Sequence, residues 1–125
     1  MAPRQSVLIV DRLPETREVL RTVLECRGWH IIEADAPNQG AEMVRTHHPD
    51  LVVLDLETDP IPSDYDCQAV VQASDESSTP IVMLGNVRRD APPTSSQAVL
   101  RKPYHYGPLI RKIEELLAGS QRSAA

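Results

Sequence analysis

Short apolar runs, rich in β-branched residues, alternate along this chain with longer segments that have the periodicity of helices. The runs predict five strands, at Ser6 to Val10, His30 to Ala34, Leu51 to Leu54, Ile81 to Leu84 and Gln97 to Arg101. Strands that alternate with helices in this way form right-handed crossovers and a parallel sheet with helices on both faces. The sequence therefore predicts a doubly wound α/β domain, with the uninterrupted apolar run before Asp55 at its centre.

Residues that start and stop helices mark the segments between the strands. Pro14 suits the first turn of the first helix, and Gly28 is placed to follow its end. The apolar stripe of that helix should face the sheet and consists of Val19, Leu20, Val23 and Leu24. Further helices are predicted over about Pro37 to His47, over about Asp64 to Ala73, and in a last segment that ends before Gly119.

The segment from Gly85 to Ser96 departs from this regular alternation. Pro92, Pro93 and several small polar residues stand where a fourth helix should connect the fourth strand to the fifth. Proline inside a helix removes a backbone donor and clashes with the preceding turn. We therefore expect the fourth helix to be short, disrupted or absent.

The size and charge of the chain exclude several classes of protein. Its 125 residues suffice for one domain, with a core over about residues 6–118 and a flexible tail over residues 119–125. A net charge of -5 argues against direct binding to nucleic acid, which requires clustered Lys and Arg. No apolar run reaches the roughly 20 residues of a membrane-spanning helix, and we expect a cytoplasmic protein. Cys26 and Cys67 lack a metal-binding spacing and are expected to be reduced thiols that fill core space.

Charged side chains follow three of the predicted strands at the point where each strand ends. Asp11 follows the first strand, Asp55 the third and Lys102 the fifth, while Gly85 follows the fourth. The carboxyl ends of parallel strands meet at one edge of the sheet, which is where ligands bind in this class of fold. Two carboxylates there suit a hard cation such as Mg²⁺, and a nearby lysine would pair with a carboxylate or a phosphoryl group.

Three motifs at these strand ends resemble the landmarks of response-regulator receiver domains. They are VLIVD ending in Asp11, LVVLD ending in Asp55, and LRKP containing Lys102, and the resemblance extends from about Ser6 to Ala118. It implies a flavodoxin-like fold whose five strands are ordered 2-1-3-4-5. It also implies transfer of a phosphoryl group from a histidine kinase or phosphotransfer protein to Asp55, with Mg²⁺ as the obligatory cofactor.

The resemblance assigns a role to each residue by its position. Asp55 would be both the phosphoacceptor and a metal ligand, Asp11 a metal-site carboxylate, and Lys102 the partner of a phosphoryl oxygen. The backbone carbonyl of Glu57 would be a further metal ligand. The domain would not be an enzyme beyond catalysing its own phosphorylation and dephosphorylation. It would act by altering its interactions with an output protein or domain, and a homodimer is one assembly that the resemblance allows.

Three positions differ from the usual pattern of the family. Arg12 stands where a second acidic residue is usual, so Mg²⁺ binding should be weakened, and the guanidinium would occupy part of the metal site or pair with Asp55. Gly85 replaces a Ser or Thr that contacts the phosphoryl group, and Val99 replaces an aromatic residue of the fifth strand. Two alternatives therefore stay open: a phosphoaccepting receiver with altered output, or a pseudo-receiver, an interaction module that works without phosphorylation.

Overall fold

A parallel sheet of five strands organises the part of the chain that the computed structural model describes, which is residues 5–55, 64–85, 97–100 and 105–123. The strands are β1 (Ser6–Val10), β2 (His30–Ala34), β3 (Leu51–Asp55), β4 (Ile81–Leu84) and β5 (Gln97–Leu100). Their order across the sheet is β2-β1-β3-β4-β5, and every neighbouring pair is parallel. The doubly wound class predicted from the sequence is confirmed, and so is the strand order that the resemblance implies.

Helices connect these strands in the order that the sequence predicts. Within the described ranges they are α1 (Pro14–Glu25), α2 (Pro37–His47), α3 (Asp64–Glu76) and α4 (Tyr106–Ser123). The segment in which we expected a fourth helix to be short, disrupted or absent lies in residues 86–96, outside the described residues, apart from Gly85. The label α4 is therefore given to the helix that follows β5. Pro14 occupies the first turn of α1 as predicted.

The predicted end of the last helix is wrong. We expected it to end before Gly119, whereas α4 continues through Ser123. Gly119 does not have the positive φ of a glycine that terminates a helix, in contrast to Gly28 after α1, where φ is 94°. A helical glycine costs only about 1 kcal/mol relative to alanine, which is not enough by itself to end a helix. The third helix is likewise longer than predicted and ends at Glu76 rather than Ala73.

Apolar side chains form one cluster on each face of the sheet. One cluster lies beneath α1 and α4 and includes Val7, Ile9, Leu20, Leu24, Val53, Leu109 and Ile113. The other lies beneath α2 and α3 and includes Leu8, Val10, Val44, Val52, Leu54 and Val70. Because successive side chains of a strand point to opposite faces, β1 and β3 contribute to both clusters. All five residues of β3 are buried, as expected for a central strand with helices on both faces.

Two predictions about α1 and its end are wrong. Val19 was expected on the buried stripe but is 45% exposed, whereas Leu20 and Leu24 are fully buried. With 3.6 residues per turn, Val19 lies about 100° around the helix from Leu20, which takes it off the stripe. Cys26 was expected to fill core space but is exposed just after α1. The side chain of Cys67 lies outside the described part of the structure.

Gly40 brings α2 into close contact with β1. A β-carbon at this position would lie 2.7 Å from Cγ2 and 3.2 Å from Cγ1 of Val10, which is almost fully buried. Real side chains do not approach that closely, so only glycine allows this separation between helix and strand. Val10 is the last residue of β1, and this contact therefore supports the strand end at which Asp11 begins.

Candidate functional site

The ends of β1 and β3 place two buried carboxylates side by side. Val10 pairs with Leu54 across the two strands, so the next residues, Asp11 and Asp55, lie abreast of each other. Neighbouring strands of a sheet are about 4.8 Å apart. Asp11 is 1% exposed and Asp55 is 3% exposed. The structure thus brings the two predicted acidic residues together at the carboxyl edge of the sheet.

Hydrogen bonds fix the backbone and one carboxylate oxygen of Asp11. Its amide donates to the carbonyl of Ala34 at 3.0 Å, which extends the pairing of β1 with β2 by one residue. Its Oδ1 accepts from the amide of Leu13 at 3.0 Å, and its backbone carbonyl accepts from Nη1 of Arg17 at 2.7 Å. Leu13 is the N-cap of α1 and has no side-chain cap of its own, so the carboxylate of Asp11 lies at the positive end of that helix.

Arg12 lies between the predicted metal carboxylate and the start of α1. Its side chain is partly exposed, and among the described residues it forms no ion pair with Asp55. The idea that its guanidinium occupies part of the metal site stays a prediction. Residue 12 thus supplies no carboxylate, while Asp11 directly follows β1 and Asp55 ends β3.

Gly85 differs from a serine or threonine in its backbone as well as in its side chain. Leu84, the last residue of β4, pairs with Asp55 on one side and with Leu100 on the other, so Gly85 begins directly beside the site. Its φ is 123°, and its amide donates to the carbonyl of Leu100 at 2.9 Å. Residues with a β-carbon rarely adopt such a φ. The chain therefore leaves β4 along a path that strongly favours glycine.

Several predicted positions fall outside the described residues. Lys102 and Glu57 belong to this group, and nothing in the structure bears on the roles predicted for them. Val99 lies in β5, paired with Met83 of β4, but its side chain is not described.

The donor set at this edge is compatible with Mg²⁺. This ion keeps several water ligands and is usually bound through one or two carboxylates together with phosphate oxygens. Asp11 and Asp55 supply two such carboxylates from neighbouring strand ends. Across the described ranges, no group of three or more His, Cys, Asp or Glu side chains is arranged to hold a metal. The two carboxylates by themselves fit a cation that takes its remaining ligands from water and phosphoryl oxygens.

An arginine that sequence reasoning missed lies beside Asp11. Nε of Arg17 is 3.2 Å from Oε1 of Glu33, and Nη1 of Arg21 is 3.1 Å from Oε2 of the same glutamate. Arg17 also lines a shallow polar depression of about 180 Å³, together with Glu33, Asp35 and Gln39. Its position one turn into α1, close to a strand end that carries Asp11, is the signal that could have identified it.

Comparison with known proteins agrees with this architecture. The family model for the response regulator receiver domain matches residues 7–113. Response regulator GtcR of Aneurinibacillus migulanus is 30% identical over 87 residues, which cover 70% of this chain and 35% of that protein. The probable transcriptional regulator ycf27 of Porphyridium aerugineum is 31% identical over 81 residues, which cover 65% of this chain and 32% of that protein. The matched region thus spans about a third of the length of both relatives.

Solved structures share the fold over nearly the whole chain. A CheY-like receiver domain protein of Methanospirillum hungatei JF-1 aligns with a TM-score of 0.79 and 18% identity, covering 97% of this chain and 99% of that one. The receiver-modulated diguanylate cyclase structure of Pelobacter carbinolicus aligns with a TM-score of 0.64 and 26% identity, covering 92% of this chain and 97% of that one.

In the described part of this chain, no helix is both long and apolar enough to cross a bilayer.

Proposed function

Because this chain belongs to the response-regulator receiver-domain family of two-component systems, we propose that it accepts a phosphoryl group on Asp55. The donor would be a histidine kinase or a phosphotransfer protein. The observation that supports this proposal best is the position of Asp55, a buried carboxylate at the end of the central strand and abreast of Asp11.

The transfer requires little chemistry from the protein itself. An oxygen of the Asp55 carboxylate attacks phosphorus, a new P–O bond forms, and the bond between phosphorus and the donor nitrogen or oxygen breaks. A carboxylate nucleophile, unlike a hydroxyl group, needs no separate general base. Mg²⁺, when bound, neutralises charge on the phosphoryl oxygens. Asp11, with the carbonyl of Glu57, would hold this ion, and Lys102 would contact a phosphoryl oxygen.

We propose further that phosphorylation alters partner interactions by a route that does not use the residue after β4. Gly85 has no hydroxyl with which to bind a phosphoryl oxygen, and its φ of 123° disfavours any residue that carries one. A signal from Asp55 would therefore reach the surface through other elements beside the site. The start of α1 is one of them, because its N-cap amide is hydrogen-bonded to Asp11.

A second candidate function is that of a pseudo-receiver, which binds partners without phosphoryl transfer. The observation that favours it is the combination of Arg12 and Gly85 beside the two carboxylates. In this case the fold presents a fixed surface, and Asp55 is a structural residue at the end of β3.

Phosphorylation by a small-molecule donor separates the two functions. The chain is incubated with acetyl phosphate in the presence and absence of Mg²⁺, and its intact mass is measured. We expect an adduct equal to one HPO₃ group that depends on Mg²⁺ and is lost in Asp55→Asn. Asp50→Asn is the matched control, since Asp50 is an exposed aspartate at the opposite end of β3. An unmodified wild-type chain would reject the phosphoacceptor proposal and leave the pseudo-receiver.

A further inference from the structure

Arg17 contacts the backbone of the candidate site from the first turn of α1. Side chains of a helix point back toward its N-terminus, and that of Arg17 reaches the carbonyl of Asp11 with an Nη1–O distance of 2.7 Å. The side chain is only 19% exposed. A short hydrogen bond from a charged donor with so little access to water is stronger than one between neutral groups.

The second side of the same guanidinium is held by Glu33. Nε of Arg17 donates to Oε1 of Glu33 at 3.2 Å, and the planar guanidinium fixes the direction in which Nη1 points. Glu33 precedes Ala34, whose carbonyl accepts from the amide of Asp11. Arg17 therefore links the end of β1 to the end of β2 and to the start of α1.

These contacts leave Asp11 little freedom to move. Its amide, its carbonyl and its Oδ1 are bound by Ala34, Arg17 and Leu13, respectively. Its carboxylate can therefore point in a narrow range of directions relative to Asp55. The charges of Arg17 and Arg21 are together offset by Glu33 and Glu25, so Arg17 can hold the carbonyl without repelling a cation strongly.

We propose that Arg17 is a positioning residue that fixes the turn from Asp11 to Arg12 and thereby aims the Asp11 carboxylate at the cation of the phosphorylation site. This inference rests on the proposed function, because the orientation of Asp11 matters only if Asp11 binds the cation that assists phosphoryl transfer to Asp55. The competing explanation is that Arg17 belongs to a partly exposed ion-pair network, which contributes little beyond local stability.

Arg21 offers a matched control for Arg17 in the same helix. Both arginines donate to Glu33, and replacement of either by glutamine removes one positive charge and one partner of that carboxylate. Of the two, Arg17 donates to the backbone carbonyl of Asp11. A difference between the two variants therefore isolates the contact with Asp11 from the ion pair.

The experiment measures Mg²⁺ affinity by titration, and the chemical shifts of the Asp11 carbonyl carbon and the Arg12 amide by NMR. We expect Arg17→Gln to lose roughly tenfold in Mg²⁺ affinity, as is typical when a group that orients a metal ligand is removed. Both shifts should change in this variant, while Arg21→Gln should leave both shifts unchanged and should not lose Mg²⁺ affinity. Removal of a positive charge alone would strengthen cation binding. A loss of Mg²⁺ affinity in Arg17→Gln would therefore identify the orientation of the Asp11 carboxylate as the cause.

Equal Mg²⁺ affinity in Arg17→Gln and Arg21→Gln, with unchanged shifts at Asp11 and Arg12, would overturn the inference. If Arg17→Gln does not fold, Arg17→Lys takes its place with the same expectation, because one ammonium group cannot reproduce the two-sided geometry. A wild-type chain that binds no Mg²⁺ would contradict the proposed function instead. The Asp11 carbonyl shift in the Arg17 variant would then decide by itself whether Arg17 fixes the turn.

Discussion

Gly40 of α2 lies against Val10 of β1 so closely that an added β-carbon would come within 2.7 Å of Cγ2 of the valine. Val10 is branched at its β-carbon and almost fully buried, so it has little room to move aside. The helix and the strand end that carries Asp11 therefore share a contact at which no larger residue fits without a shift.

We predict that Gly40→Ala destabilises the domain by about 1–2 kcal/mol. Overpacking a core typically costs about 1–3 kcal/mol, and the higher helix propensity of alanine offsets part of that cost. Urea unfolding, followed through the fluorescence of the single tryptophan, Trp29, measures the change in the free energy of unfolding.

Gly119→Ala is the control for this prediction. Nothing lies within 4 Å of a β-carbon at Gly119, which is also helical, so alanine should be neutral or stabilise by up to about 1 kcal/mol. If Gly40→Ala were as stable as Gly119→Ala, the close packing of α2 on β1 would be refuted.

Gly85→Ala should also lower stability, for a different reason. Its φ of 123° is unfavourable for any residue with a β-carbon, and such strain costs on the order of 1–3 kcal/mol. Gly28→Ala provides the comparison, because Gly28 has a φ of 94° but open space around it. We expect both variants to be less stable than the wild type because of backbone strain. If Gly85→Ala had the same free energy of unfolding as the wild type, the positive φ of Gly85 would be contradicted.

Arg12→Asp should strengthen the binding of Mg²⁺ by roughly tenfold. The change removes a positive charge and adds a carboxylate next to Asp11, which suits a cation that prefers oxygen ligands. Arg12→Ala separates the two effects, because it removes the charge without adding a ligand. An affinity that is the same in the wild type, Arg12→Ala and Arg12→Asp would show that residue 12 does not affect the metal.

The central strands could be predicted because their burial leaves a clear mark on the sequence. β3 is apolar at four consecutive positions and buried on both faces, so both its place in the sheet and the position of Asp55 at its end followed from the pattern alone. Val19 was misplaced because neighbouring apolar residues leave the edge of a helical stripe ambiguous. The end of α4 was misplaced because a glycine is compatible with either a helix interior or a helix end.

The two local features that most affect the candidate site could not be predicted from the sequence. The role of Arg17 depends on a contact with Glu33, which lies sixteen residues away and on a different element. The φ of Gly85 was not predictable either, because glycine adopts positive and negative φ values about equally readily. In each case the deciding information is tertiary, since it depends on which strand ends the fold brings together.

The site of phosphorylation tests the central claim most directly. After incubation with acetyl phosphate and Mg²⁺, the acyl phosphate is reduced with borohydride, which converts a phosphorylated aspartate to homoserine, and the digested chain is sequenced by mass spectrometry. We predict homoserine at position 55, none at the other aspartates, and none anywhere in Asp55→Asn. Homoserine at Asp11 or Asp50, or an unmodified Asp55 in a folded wild-type chain, would contradict the assignment of Asp55 as the phosphoacceptor.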